Sequence, residues 1–506
     1  MMTAKSLISS FPLESLLAGI VDKALVRGIN VTGIATDSRK VKSGDLFIAC
    51  IVGDVSNISY INDAIKAGAS VVLVDERQLP DPSLCPVPLF RTKELVKKIG
   101  VIADRFYQHP SADMKVVGVT GTNGKTSVSH LLAQCLNDLS EKDCGLIGTL
   151  GYGSLGNLVP GPNTTPEPLT LQALLADMRD QKFRKVVMEV SSHGLDQYRV
   201  VGVKFDLAIF TNLSRDHLDY HKTQRDYAIS KQRLFHEYEI KKHVINIDDE
   251  IGKIIFNELP ENVQKIACTL EADKYNSSLK KEDLILGKVI DIQPDGMTIE
   301  IHSPWGEGIL STQFMGEFNV RNILSVLSAL CLLGYSFDEA ISRISHCKNI
   351  PGRLESFGND STPKVIVDYA HTPDALEQVL ATLKSACAGK LYCVFGCGGD
   401  RDPGKRALMA AVAEKFANFI TITSDNPRNE DPEKIIKDIY AGISNSKNVE
   451  IEIDRATAIG KTIRKASIND IVVIAGKGHE DYQEIAGVRR PFSDQQIARK
   501  ILGLTE

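Results

Sequence analysis

The sequence has no surplus of positive charge: 59 Lys and Arg stand against 64 Asp and Glu, a formal charge of -5. A nucleic-acid protein normally shows a concentrated basic surface, so the expectation is no nucleic-acid partner. No stretch reaches the ~18 to 20 unbroken apolar residues of a membrane span, so no membrane insertion is expected. Near the amino terminus Glu14 and Asp22 interrupt the apolar residues, which argues against a signal peptide. The ten cysteines include no CxxC pair; the closest spacing in the carboxyl half is Cys393 to Cys397. Such scatter reads as reduced, mostly buried thiols of a cytoplasmic protein, not as a disulfide frame or zinc site. Internal repeats, low-complexity tracts and heptad runs are also missing, which removes solenoids and coiled coils.

What is present is ordinary for a globular chain: 43% hydrophobic and 24% charged residues over 506 positions, enough for about three domains. Three blocks are expected, 1–112, 113–349 and 350–506. The first holds a helix-like "YINDAIKAGA" before a strand-like run, Ser70 to Asp75, and ends in a linker, His109 to Asp113, broken by Pro110. The second alternates buried-type strands (Val116 to Val119, Lys185 to Val190, Phe205 to Leu213, His243 to Asp249) with helices. That pattern implies a parallel sheet covered on both faces. Short antiparallel strands are expected from Leu284 to Thr312 and a long buried helix from Phe318 to Gly334. The third block is again doubly wound. The fold class expected is α/β, with a central parallel-sheet domain, of P-loop ATPase type on the glycine loop described next, and a Rossmann-like carboxyl-terminal domain.

The strongest chemical signal is "VTGTNGKTS", Val119 to Ser127, between a strand and a helix. Backbone N–H groups and the helix dipole favour a phosphate there. Gly121 and Gly124 let the backbone approach the anion, Lys125 can reach β/γ oxygens, and the Thr126 hydroxyl can ligate Mg²⁺. Val119 occupies the place of the usual first glycine. Glu189 and then "NLSRDHLDYH" (Asn212 to His221) follow strands, where ligands of open α/β sheets collect, and Glu189 is a sensible Mg²⁺ ligand. His217 and His221 have i, i+4 spacing but no evident third ligand, and Asp216 and Asp219 read equally as helix caps or ligands. Lys231, if it faces the same crevice, would lose basicity on burial, and a neutral amine can react with CO₂.

Four further motifs follow strands of the third block: "VDYAHTPDA", "FGCGGDRDPGKR", "TSDNPRNEDP" and "AGKGHEDYQ". "GCGGDR" fails as a dinucleotide fingerprint, since Arg401 stands where the last glycine belongs. Arg401, Arg428 and Glu480 instead suit a small zwitterion, guanidinium for carboxylate and carboxylate for ammonium.

Over nearly its whole length the chain resembles the Mur ligases, the ATP-dependent amide-forming enzymes of peptidoglycan assembly. The resemblance is carried by "TGTNGKT", "NTTPEPLTLQ", "MEVSSHGLDQYRV", "NLSRDHLDYH", "VDYAHTP" and "GKGHEDYQ". These look like the group that extends UDP-N-acetylmuramoyl-L-alanyl-D-glutamate, and "DNPR" (Asp425 to Arg428) resembles the meso-diaminopimelate-adding branch, where lysine-adding relatives carry another residue for the arginine. The resemblance implies ATP and Mg²⁺ as cofactors. It implies that Thr126, Glu189, His217 and Lys231, the last carbamylated, hold metal, and that Lys125, Lys231 and His217 serve catalysis. Gly121, Thr122, Asn123, Gly124, Lys125, Thr126, Ser127, Asn322, Arg353 and Asp368 match nucleotide contacts. Ser38, Asn163, Thr164, Thr165, Ser191, Gln197 and Arg199 match contacts to the UDP-muramoyl-dipeptide. Arg401, Asp425, Asn426, Pro427, Arg428, Gly476 and Glu480 match the diaminopimelate site. One departure is that "GDVSNISYINDA" (Gly53 to Ala64) lacks the Asp-Gly pair usual before the first-domain helix.

The implied reaction passes the γ-phosphoryl of ATP to the D-glutamate carboxylate, after which the diaminopimelate amine displaces phosphate, with hinge closure near Ile350. A monomer is expected. Rival readings are a P-loop kinase or nucleotide-gated module, a lysine-adding ligase, and a folylpolyglutamate synthase-like ligase.

Overall fold

The computed structural model describes residues 10–50, 58–77, 85–137, 143–271, 279–293, 296–359 and 361–504. The first nine residues and 53–57 of the departing stretch lie outside the described residues. Contacts divide the chain into two compact units, one of residues 1–120, 136–208 and 233–242, the other of 121–135, 209–232 and 243–506.

In the first unit, strands Gly33–Ala35, Asp45–Ala49, Val71–Asp75 and Leu89–Thr92 form a four-stranded sheet, parallel throughout and in chain order. Its middle strands are apolar at consecutive positions because both faces are covered. Leu46, Ile48, Val71 and Leu73 pack with Leu13, Ile99 and Ile102. Phe47, Val72 and Val74 pack on the other side with Ile61 and Ala64. The expected helix before Ser70 is present as Ile58–Lys66. The expected linker at His109 is a 3-10 turn, Pro110–Asp113, since Pro at its first position fixes a helical φ. Beyond it, Lys185–Glu189 pairs in parallel with both Lys115–Thr120 and Cys144–Gly148. A hairpin, Gly151–Ser154 and Asn157–Val159, extends that edge antiparallel.

In the second unit, strand Gln264–Thr269 pairs in parallel with Leu284–Gln293. That strand continues antiparallel through Gly296–Ser303 and Gly306–Thr312, as alternation over 284–312 predicts. Helix Glu317–Leu332 buries nearly every residue from Asn319 onward, as expected for the long buried helix there.

The carboxyl-terminal sheet has the order Glu355–Phe357, Lys364–Asp368, Ile471–Ala475, Leu391–Phe395, Phe419–Ile422, Val449–Ile451. All its pairs are parallel except the first. Alternate residues feed two cores: Ile366, Cys393, Phe395 and Val473 face one helical layer, and Val367, Tyr392, Val394 and Val472 the other. The last strand inserts between the first two parallel ones in sequence, a switch point where open α/β sheets bind ligands beyond their carboxyl ends.

Two buried arginines brace those ends. Arg455 and Asp494, with fully buried side chains, meet at 2.7 Å, and Arg455 also donates to the carbonyls of Ser424 (3.4 Å) and Ala475 (3.0 Å). Ser424 and Ala475 are the residues before Asp425 and Gly476, so this pair holds the start of two motif loops. Arg406 similarly bridges Glu430 at 2.9 Å and Asp438 at 2.8 Å. Among the described residues, no helix is long and apolar enough to cross a membrane.

Candidate active site

The glycines of the phosphate-type loop are required by their surroundings. Gly121 (φ 151°) and Gly124 (φ 83°) have positive φ, and a Cβ would lie 1.9 Å from Thr211 Oγ1 at the first and 2.6 Å from Asn322 Oδ1 at the second. The loop is locked to the segment after strand Leu207–Phe210. The Asn123 N–H donates to Asn212 Oδ1 (3.0 Å), the Thr211 hydroxyl donates to the Asn123 carbonyl (2.6 Å), and Ser214 N–H donates to Thr122 Oγ1 (3.0 Å). Spending Thr211 and Asn212 on these bonds ends that strand at Phe210, short of the Leu213 expected. Helix Lys125–Leu136 begins directly after the loop, and the amino terminus of a helix suits an anion.

Two lysines converge on this loop. Lys125 Nζ donates to the carbonyls of Gly121 (2.9 Å) and Thr122 (2.8 Å). Lys231 Nζ donates to Gly121 O (2.6 Å) and sits 4.5 Å from the Tyr227 ring centroid. Lys231 is buried, and this burial, with the Lys125 charge adding to it, holds its amine well below the usual lysine range. Lys231 therefore packs against the phosphate-type loop. Thr126 is buried, and its hydroxyl accepts from Arg353 Nη2 at 3.0 Å.

Asn123, Gly124, Ser127, Asn322, Arg353 and Asp368, all expected at the nucleotide, line one cavity of about 290 Å³. Arg353 stacks 4.6 Å from the Tyr369 ring. Asp368 accepts the N–H groups of Leu354 and Ala370, each at 2.7 Å, tying two motifs together. Burial raises its carboxyl, with Arg353 opposing. Tyr369 and Asp374 also line the cavity, and Asp374 accepts from Asn123 Nδ2 at 3.0 Å. Both lie inside "VDYAHTPDA", which was read for Asp368 alone.

Asp216 is neither a cap nor one of a metal cluster. His217, with φ 54°, is the residue that caps Leu218–His221. The buried Asp216 carboxylate lies 3.4 Å from His217 Nε2, 3.6 Å from His371 Nε2 and 3.8 Å from Lys405 Nζ. Burial alone would raise its pKa; His371, His217 and Lys405 outweigh burial and hold it well below the carboxylate range. His221 is buried against the Tyr227 ring. Among the described residues no group of three His, Cys, Asp or Glu side chains is arranged to hold a metal ion, so the His217/His221 spacing builds no zinc site.

In the first unit, Glu189 is buried, and its two oxygens accept from the Thr149 N–H (2.9 Å) and hydroxyl (3.0 Å). Thr149 Oγ1 lies 3.1 Å from Thr164 Oγ1. The Thr165 hydroxyl donates to the Glu189 carbonyl (2.9 Å) and meets Ser191 Oγ at 3.0 Å. Arg199 donates to the Thr165 carbonyl (2.9 Å) and to Gln197 Oε1. Thr164, Thr165, Ser191, Gln197 and Arg199 thus form one network with Glu189. The Asn163 carbonyl accepts from the Tyr152 hydroxyl. Ser38 opens a 3-10 turn, Ser38–Lys40, after a strand of the separate four-stranded sheet.

At the carboxyl-terminal rim, Asn426 Nδ2 donates to Glu480 Oε2 at 2.8 Å, and Arg428 Nη1 donates to Gly399 O at 2.7 Å. A Cβ on Gly476 would lie 2.6 Å from Asp425 Oδ2, so glycine is needed there. The Pro427 carbonyl accepts from the Glu430 N–H at 2.9 Å, turning the chain after "DNPR". A Cβ on Gly398 would touch both Arg428 Nη1 (2.8 Å) and Arg401 Cγ (3.7 Å), which places the two arginines together. Arg401 also reaches Asp219 at 3.6 Å. Asp425 is buried, which alone would raise its carboxyl, but Lys477 and Arg455 hold it below the usual range. Lys477, whose side chain is fully buried in this rim, was missed in the sequence.

His130, buried in helix Lys125–Leu136, has no hydrogen-bond partner at Nε2 among the described residues. Burial, with Arg353 adding to it, depresses its pKa to about 4. The folded state thus binds this proton less readily than the unfolded chain, whose histidine titrates near ~6.5. Its contribution is complete above pH ~6.5 and is lost as pH falls toward 4, by about 3 kcal/mol. Urea unfolding between pH 7 and pH 4.5 should show a smaller stability loss in His130→Gln; an identical loss would refute this.

Models of two families match the sequence: the Mur ligase middle domain over residues 119–330, and the Mur ligase, glutamate ligase domain over 352–478. The chain belongs to the Mur ligase family. It is 46% identical to a UDP-N-acetylmuramoyl-L-alanyl-D-glutamate--2,6-diaminopimelate ligase of Coxiella burnetii, covering 95% of this chain and 97% of that one. It is 43% identical to the protein of that name from Chromobacterium violaceum, over 95% and 96%. A solved structure of that name superposes with a TM-score of 0.66 at 36% identity, covering 94% of this chain and 95% of the other.

Proposed function

We propose that this chain is an ATP-dependent ligase that joins meso-2,6-diaminopimelate to UDP-N-acetylmuramoyl-L-alanyl-D-glutamate in peptidoglycan synthesis. The observation that carries the reading is the rim where Arg401, Arg428, Asn426 and Glu480 meet, a donor and acceptor set for a zwitterion with a second carboxylate. The blocks 1–112, 113–349 and 350–506 would bind the UDP-sugar, ATP and the amino acid in turn. Ser38, Asn163 and the Thr164–Arg199 network would take the UDP-muramoyl-dipeptide.

In the first step a D-glutamate carboxylate oxygen bonds to the γ-phosphorus of ATP and ADP leaves. Lys125, now bonded to its own loop carbonyls, would exchange them for phosphate oxygens, and the loop N–H groups would hold the chain of phosphates. In the second step the diaminopimelate amine attacks the acyl carbon, phosphate departs and the amine loses a proton. Glu480 binds the distal ammonium and Arg428 its carboxylate, so the reacting amine is presented in one orientation.

Mg²⁺ prefers oxygen ligands, and the Thr126 hydroxyl and Glu189 carboxylate are of that kind; Lys231, whose basicity burial lowers, fits carbamylation to an anion. Thr126, Glu189, His217 and Lys231 would hold it, and when bound it neutralises charge on the phosphoryl oxygens. A reducing cytoplasm suits the ten cysteines, which are thiols. We take the working unit to be a monomer.

The test is ADP release in the presence of UDP-N-acetylmuramoyl-L-alanyl-D-glutamate, comparing meso-diaminopimelate with L-lysine. Turnover should require the dipeptide and prefer diaminopimelate. Equal turnover with lysine would point to the lysine-adding reaction, and ADP release independent of any amine would point to a kinase.

A further inference from the structure

Lys477 follows strand Ile471–Ala475 by two residues, and its side chain is fully buried. An ammonium group taken out of water is tolerated only with partners. Lys477 has two: Nζ donates to Asn426 Oδ1 at 3.0 Å and to Glu480 Oε2 at 2.9 Å. It also lies 5.5 Å from the Tyr482 ring centroid. The same Glu480 oxygen accepts Asn426 Nδ2 at 2.8 Å, and Asn426 Oδ1 accepts the Glu484 N–H at 3.0 Å. Asn426 is therefore fixed in its flip state by a donor on one side and an acceptor on the other. Glu480 Oε2 carries two donors, whereas no hydrogen bond reaches Oε1 among the described residues.

We infer that Lys477 is a positioning residue for the acceptor amino acid, holding Glu480 by one oxygen so that the other is left to receive the ammonium group of a diamino acid. Its charge also faces the buried Asp425 carboxylate and helps to hold it below the usual carboxylate range, beside the arginines that bind carboxylate. The chemistry selected is a ligand with an amine and a carboxylate at its distal end. A neutral residue at 477 would leave Glu480 free to turn toward solvent or toward Arg428. This inference rests on the ligase reading above.

The experiment measures kcat and KM for each of the three substrates in the full-length wild type, Lys477→Met, Glu480→Gln and the double variant, with unfolding midpoints recorded alongside. Lys477→Met should raise the KM for meso-diaminopimelate about 30-fold and leave the KM for ATP within about twofold. Because Lys477 acts through Glu480, the double variant should be no worse than Glu480→Gln alone. A residue that only supports the fold would move all three KM values together. If Lys477→Met does not fold, Lys477→Gln keeps a donor toward Glu480 and should show the same selective KM increase to a smaller extent. An unchanged diaminopimelate KM, or additive effects in the double variant, would overturn the positioning role while the wild type still selects diaminopimelate. A wild type that does not select diaminopimelate would overturn the ligase reading and this inference with it.

Discussion

Arg428→Ala is expected to raise the KM for meso-diaminopimelate about 100-fold and to leave the KM for ATP within about twofold. Arg428 sits on the rim, donating to Gly399 O at 2.7 Å, beside Arg401 and away from the phosphate-type loop in sequence. A guanidinium facing a carboxylate supplies two parallel donors, and truncation removes both while leaving the ligand charge unmatched. Arg428→Lys restores the charge without the fork, so it should recover only part of the loss. Steady-state kinetics with each substrate varied in turn decide the matter. An unchanged diaminopimelate KM in Arg428→Ala would remove Arg428 from the amino-acid site.

The second large effect is expected at Lys231. Lys231→Ala should lower kcat about 1000-fold with little change in unfolding midpoint, and millimolar formate or acetate should restore part of the rate. The reasoning begins with burial: a lysine enclosed beside Lys125 is held well below the usual lysine range, and the neutral form of an amine takes up CO₂ to become an anion. The small carboxylates would supply the oxygens that the truncated side chain no longer carries. A Lys231→Ala variant with full activity would exclude this role, and one rescued by a small amine but not by a carboxylate would assign the lysine to charge neutralisation instead.

Much of the architecture was readable from the sequence because its signals are local. Apolar runs such as Lys185–Val190 belong to strands covered on both faces, and the glycine turn between a strand and Lys125 has one sensible geometry. Val119 in the place of a first glycine is no defect, for it is a buried residue of strand Lys115–Thr120, and the turn starts after it. The rim residues were legible as motifs after strands. Their partners were not, because partnership there depends on distant segments. Lys477 looks like any lysine in a glycine turn until Asn426 and Glu480 close over it. Asp216 reads equally as a helix cap or a ligand; its attachment to His371 and Lys405 joins residues far apart in the chain. The linker expected at His109 differs for a simpler reason, since the proline that breaks one helix begins a 3-10 turn.

The backbone at Arg428 is left-handed, with φ 50°, a region that β-branched side chains avoid and that Asn, Asp and Gly enter most readily. Under the proposed function, any attempt to retune this rim toward another amino acid draws from a restricted alphabet at this position. Valine, isoleucine and threonine are disfavoured there before their chemistry is ever tried, and diversification libraries at that codon should be weighted accordingly.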